Sequence, residues 1–355
     1  METACPDTGL CERDIIAISA PEVLSLLSGK ELEIIDIVKQ AYAEHHRKAS
    51  SLPHSTFLNF PGDPMNRIIA LPAYLGGSFM SAGVKWIASF PGNLEQGLDR
   101  ASALMILNSM KTGRPKAVLE GSVVSAKRTA ASAALAASVL LEGPPQSVAL
   151  IGCGKINFEI ARFLLAIYPK LETFFLYDTH HQRACNFQEQ CRNEFPSVKT
   201  SIASGMDSVL RSALLVSFAT TATKPYVADL RSCAPSCVIL HISLRDLMPE
   251  TILVNGNVVD DIDHVCRAQT SLHLAERQVQ NRSFIRSTLG DIICGMAPAR
   301  DPEKAVSIFS PFGLGILDVA LGEYVFQQAA CEGMGTLLEY FLPESWKRTS
   351  ELVSD

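Results

Sequence analysis

The chain has 355 residues, 47% of them hydrophobic and 19% charged, with a formal net charge of -6. That length leaves room for two domains of about 150 residues each. The acidic balance excludes the basic footprint of a nucleic-acid or anionic-membrane binder, and no apolar run is long enough to span a bilayer.

The opening, METACPDTGLCERD, is polar and acidic and lacks the apolar core of a targeting peptide, so a cytoplasmic protein is expected. Its ten cysteines are scattered without a CxxC pair, the usage of a reducing compartment. Cys233 and Cys237 have no matching histidine pair, so no metal site is expected.

Residues 21–47 carry Leu32, Ile35, Val38 and Tyr42 at helical spacing, which predicts an amphipathic helix over which a sheet can fold. From Leu52 to Val118 short apolar runs are broken by Pro and Gly, predicting antiparallel strands with a hairpin turn at Lys111–Pro115. Residues 125–142 are alanine-rich and stop at Gly143-Pro144-Pro145, a helix. Lys127 and Arg128 fall in its expected first turn, where cations oppose the helix dipole. A bound carboxylate would offset that penalty; a surface ion pair is the plainer alternative.

Residues 147–183 are the most informative stretch. Val148–Ile151 reads as a buried parallel strand and runs into Gly152-Cys-Gly154-Lys155-Ile156-Asn157. Two glycines at that spacing let the backbone turn sharply and approach a pyrophosphate. The helix behind them, with Ile156, Ile160, Phe163, Leu164 and Ile167 on one stripe, offers its first amides to the phosphates. A second apolar run, Phe174–Tyr177, ends in Asp178, placed to bind an adenosine ribose and repel a 2′-phosphate. NAD is therefore expected over NADP, with His180 and Arg183 acting against that preference. Asn157 stands where a third glycine or alanine is usual, which disfavours close helix-to-strand packing.

Strands are then expected near 198–203, 214–220, 237–243 and 257–260, with a polar helix at 181–194, giving a doubly wound parallel sheet. Ligands in such sheets bind beyond the carboxyl ends of strands, which singles out Thr220, Thr221, Ser243, Arg245 and Asp246. Residues 265–300 read as helical and polar, with a turn at 289–295. A last strand, a Gly-rich turn at Gly313 and Gly315, and a helix from about Leu317 follow.

Outside the nucleotide turn, Arg67, Lys85, Arg128 and Asp246 are the candidates for chemistry. Lys85 lies in the apolar phrase GVKWIAS, where burying an ammonium is costly unless it is paired. The alternatives are a solvent-facing strand lysine and, at Asp246, a helix N-cap.

The phrases RIIALPAYLGG, GVKWIAS, DRASALMILN, RTAAS, IGCGKI, HISLRD and SPFGLGILD, in that order, resemble the ornithine cyclodeaminase and mu-crystallin family over roughly residues 14–341. Within it the likeness is strongest to the branch that acts on N-(2-amino-2-carboxyethyl)-L-glutamate, in 2,3-diaminopropionate biosynthesis for siderophores or antibiotics. The resemblance implies a homodimer with two domains. One, 1–125 plus 317–355, binds substrate and pairs its sheet across the two-fold; the other, 126–316, is an NAD-binding Rossmann domain. It further implies that Lys85 and Arg128 hold substrate carboxylate, that Asp246 handles a proton, and that Ser310–Gly315 and Asp318 flank the nicotinamide. Ile69 falls where ornithine cyclodeaminases carry a carboxylate for the substrate's distal amine, which argues against ornithine. A three-carboxylate substrate suits the three cations Arg67, Lys85 and Arg128. The expected activity is thus NAD-dependent oxidative hydrolysis of a secondary amine. Its rivals are ornithine cyclodeamination, imine or oxo-acid reduction of the alanine dehydrogenase kind, and a non-catalytic dinucleotide-binding protein like mu-crystallin.

Overall fold

A computed structural model describes residues 12–344 of the chain; the N-terminal phrase with Cys5, and Cys11, lies outside the described residues. The chain divides into two compact units and passes between them four times, at Gly29/Lys30, at Lys48/Ala49 and, inside helices, at Ser125/Ala126 and Leu317/Asp318. No described helix is long and apolar enough to cross a membrane.

Within the described residues the first unit takes in 12–29, Ala49–Ser125 and 318–344. It is built on an eight-stranded sheet that runs from Thr336–Leu338 through Ile15–Ile18, Pro115–Glu120, Ala101–Asn108, Ser81–Ser89 and Asp63–Leu75 to Ser50–Ser51. Thr56–Phe60 also pairs with Asp63–Leu75. The expected antiparallel run is present from residue 56 to 120. Ile15–Ile18, too short to stand out in the sequence, adds a parallel pairing with Pro115–Glu120.

Register decides which side chains share a face. Leu71, Lys85, Met105 and Leu119 are successive cross-strand partners, as are Ala70, Trp86, Leu104 and Glu120. Because side chains alternate along a strand, the first set belongs to one face, where Met105 and Leu119 are buried. The second belongs to the other, where Trp86 and Leu104 are each 45% exposed.

The second unit comprises Lys30–Lys48 and Ala126–Leu317. Its sheet has eight strands, all parallel, in the order Lys199–Ile202, Thr173–Tyr177, Ser147–Ile151, Leu215–Phe218, Cys237–His241, Val306–Ser310, Gly256–Val259 and Ile285–Thr288. This is the α/β doubly wound arrangement expected from the strand and helix rhythm. Chain order reverses between Ser147–Ile151 and Leu215–Phe218, the switch point at which such sheets bind ligands.

Three expectations are corrected. The helix expected over 21–47 is two, Ala20–Leu27 and Glu31–His46, with Ser28 and Gly29 between them. The longer belongs to the second unit rather than the first. Ile34, Val38 and Ala41 are buried, the Tyr42 hydroxyl is 2.7 Å from Ser132 Oγ, and His46 Nδ1 is 2.9 Å from Asp291. Residues 289–295, read as a turn, begin with a short helix, Leu289–Ile293, whose Thr288 and Asp291 form a capping box. The strand Ile285–Thr288 before it was not expected at all. Finally, the alanine-rich helix starts at Gly121, not 125. Glu120 accepts from the amides of Ser122 and Val123 at 2.6 and 3.0 Å. Lys127 and Arg128 thus lie past the first turn, where the dipole penalty fades, and those amides are already satisfied.

Candidate functional site

The glycine turn is shaped by neighbours that leave no room for a side chain. Gly152 has φ +91°, and a Cβ there would stand 2.5 Å from the Ala219 carbonyl oxygen. Gly154 then caps the helix Lys155–Ile167 with no side chain over its first amides, so Lys155 and Ile156 open the helix as expected. Asn157 is fully buried. Its amide donates to the carbonyls of Ile151 and Gly152 at 2.9 and 2.8 Å, and Ser217 donates to its Oδ1 at 2.7 Å. The carboxamide therefore bridges helix, turn and neighbouring strand where a glycine would allow bare contact.

Asp178 closes the turn from the next strand. One carboxylate oxygen accepts from the Cys153 amide and the other from the His180 amide, each at 2.9 Å. Burial, and then the Asp178 charge, push the Cys153 thiol up to about 12, so this cysteine is no nucleophile near neutral pH. A cavity of about 420 Å³ opens here, lined by Gly152, Asp178, His180, Arg183, Thr220, Thr221, Lys224 and Tyr226 among others. Its volume suits a sizeable small molecule, and the close backbone approach at Gly152 together with uncapped amides suits a pyrophosphate.

Asp246 is neither an N-cap nor an exposed shuttle. Its side chain is fully buried, with hydrogen bonds from the hydroxyls of Thr220 and Ser243, from Tyr226 at 3.1 Å, and with His241 Nε2 3.4 Å away. Burial pushes its pKa up, but the neighbouring His241 ring and the bonds from Ser243 and Thr220 outweigh that and hold it below the ordinary value. A carboxylate so saturated ties the ends of two strands together. It positions Thr220 and Ser243.

Sequence reasoning missed Asp260. This buried carboxylate at the end of Gly256–Val259 accepts from the amides of Phe312 and Gly313 at 2.9 and 2.7 Å, and from Asp261 at 2.9 Å. Burial raises its pKa and those amides only partly offset the rise. The phrase NVVDD directly after a strand was the available signal. Gly313, with φ +94°, leaves space for Arg128: a Cβ at 313 would lie 2.9 Å from Arg128 Nη1. Arg128 is buried, while Lys127 is engaged by Glu159 at 3.3 Å.

In the first unit, Lys85 is 2% exposed and its Nζ lies 2.8 Å from Asp318 Oδ2, itself 0% exposed. Ser125 Oγ accepts a further bond at 3.0 Å. The solvent-facing alternative is thus excluded. Arg67 and Ile69 pair with Ser89 and Ile87, on the same sheet face as Lys85. Arg67 Nε is buried and has no hydrogen-bond partner among the described residues, a cost that a bound anionic group would remove.

Comparison with known proteins agrees with the fold. The chain is 26% identical over 315 residues to N-((2S)-2-amino-2-carboxyethyl)-L-glutamate dehydrogenase of Staphylococcus aureus, covering 86% of this chain and 93% of that protein. It is 27% identical over 333 residues to alanine dehydrogenase of Archaeoglobus fulgidus, covering 92% and 99%. The solved archaeal alanine dehydrogenase dimer with bound NAD superposes with a TM-score of 0.82 at 26% identity, covering 92% of this chain and 100% of that one. The profile of the ornithine cyclodeaminase/mu-crystallin family matches residues 19–333, and the chain belongs to that family.

Proposed function

We propose that this protein is an NAD-dependent dehydrogenase that oxidatively hydrolyses N-(2-amino-2-carboxyethyl)-L-glutamate to 2-oxoglutarate and L-2,3-diaminopropionate. The observation that carries the reading is the face shared by Arg67, Ile69 and Lys85. It presents two cations suited to carboxylates and an apolar residue where an amine-bearing substrate needs an acid. The similarity to the Staphylococcus aureus enzyme supports the same choice.

The cofactor, when bound, supplies a hydride acceptor, and the residues at its turn fit it: the close approach at Gly152, the uncapped amides after Gly154, and Asp178. Arg67 and Lys85, on one sheet face of the first unit, hold substrate carboxylates. The glutamate α-carbon gives up a hydride to that acceptor and its nitrogen a proton, leaving an imine; water adds its oxygen to the imine carbon and a proton to the nitrogen, and the C–N bond breaks as the carbinolamine oxygen becomes the carbonyl of 2-oxoglutarate. Lys85 Nζ, balanced by Asp318, donates a proton to the departing nitrogen and recovers one from the carbinolamine hydroxyl. Asp246 keeps Thr220 and Ser243 in place, and Asp260 holds the Gly313 turn beside Arg128.

The test is absorbance at 340 nm with NAD and synthetic N-(2-amino-2-carboxyethyl)-L-glutamate, beside L-alanine and L-ornithine. Growth with the first alone, with both products identified by mass spectrometry, is expected. Growth with alanine, or proline from ornithine without net NADH, would overturn the substrate assignment and keep the family.

The outward sheet face, with Leu58, Trp86 and Leu104 each 45% exposed, is proposed to be covered by a second copy, since an apolar patch on a sheet is costly to leave in water. The dimeric archaeal relative supports this. Trp86→Asp is expected to sediment as a monomer where the parent sediments as a dimer; an unchanged dimer would move the interface elsewhere.

A further inference from the structure

We infer that the cavity beside Gly152 contains a subsite for an adenosine 2′-phosphate, with Arg183 as its main ligand, so that the protein takes NADP as well as NAD. This rests on the reading of that cavity as a nicotinamide-dinucleotide site. An acid at the end of the second strand rejects a 2′-phosphate when it stands alone, whereas a nearby arginine accommodates one.

Asp178 does not stand alone. Arg183 Nε is 3.6 Å from one of its oxygens and His180 Nδ1 3.8 Å from the other. Both oxygens already accept backbone amides. The Asp178 side chain is 9% exposed against 43% for Arg183 and 78% for His180. A group arriving at this corner therefore meets the cations more than the carboxylate.

Charge points the same way. Arg183 and Lys224 line the cavity with two positive charges against the one negative charge of Asp178, before any contribution from His180. Guanidinium geometry matches two phosphate oxygens at once, which an exposed lysine alone does not. The Arg183 side chain also reaches toward the turn, with Nη2 3.7 Å from where a Gly154 Cβ would stand. The rival role for Arg183 is consequently that of a pyrophosphate ligand, which both dinucleotides would use equally.

The experiment is titration of the purified full-length protein with NADH and with NADPH by nucleotide fluorescence at fixed salt, for the parent, Arg183→Ala and Asp178→Ala. The parent is expected to bind the two within about tenfold of each other. Loss of one bidentate charge-assisted contact predicts that Arg183→Ala weakens NADPH at least about tenfold more than NADH. Asp178→Ala should shift the ratio toward NADPH. Equal losses for both nucleotides in Arg183→Ala would overturn the subsite and make Arg183 a pyrophosphate ligand. Tight NADH with NADPH more than about a hundredfold weaker would overturn it while leaving the NAD reading intact. Failure to bind either nucleotide would overturn both.

Discussion

Replacing Lys85 with methionine is expected to cut turnover by roughly 10² to 10⁴-fold and to destabilise the first unit together, while Lys85→Met/Asp318→Leu recovers the fold without the activity. The ammonium and carboxylate are 2.8 Å apart with 2% and 0% of their side chains exposed. Removing one partner strands a buried charge, which costs about 3–5 kcal/mol, whereas replacing both by apolar groups of similar size is near neutral. Methionine fills the lysine stem, so packing beside its cross-strand partners Leu71 and Met105 changes little. Loss of a positioned proton donor lowers rates by roughly 10² to 10⁴-fold. Thermal melts and 340 nm assays on the parent, single and double variants separate the two effects. A double variant that regains activity along with stability would make the pair structural and Lys85 no participant in the reaction.

Gly152→Ala is the second large effect. Its Cβ would sit 2.5 Å from the Ala219 carbonyl oxygen, on backbone that cannot rotate away, and its φ of +91° is strained for any L residue. The conformational cost alone is about 1–2 kcal/mol, and the turn must also shift away from Ala219. NADH affinity should fall by about a hundredfold or more, since each 1.4 kcal/mol is tenfold. Gly143→Ala is the control: nothing lies within 4 Å of its added Cβ, so binding and melting temperature should stay as in the parent. If Gly152→Ala binds NADH normally, the turn does not approach the dinucleotide.

These two positions also mark what was legible in the sequence. Gly152, Asp178 and the parallel strands around them are local signals, carried by apolar runs and punctuation within about thirty residues. Lys85 announced itself as a cation in an apolar phrase, but its partner lies 233 positions away, and nothing in the spacing ties the two. Arg67 could not be placed until register put it on Lys85's face. Asp246 was found at the correct strand end, yet its role depends on three hydroxyls and a histidine gathered from different segments. The attachment of Glu31–His46 was likewise invisible, because an amphipathic stripe states that a helix is covered but not by what. Ile285–Thr288 was missed because four residues, two of them polar at the end, carry too little periodicity.

Asp260 has a consequence for moving parts of this protein between scaffolds. The turn that holds Gly313 beside Arg128 takes its form from a carboxylate 52 and 53 positions upstream, gripping two main-chain amides. Its shape is encoded outside its own segment. A loop transplanted as residues 310–315 would leave those instructions behind, so a working graft must carry the acid at 260 as well.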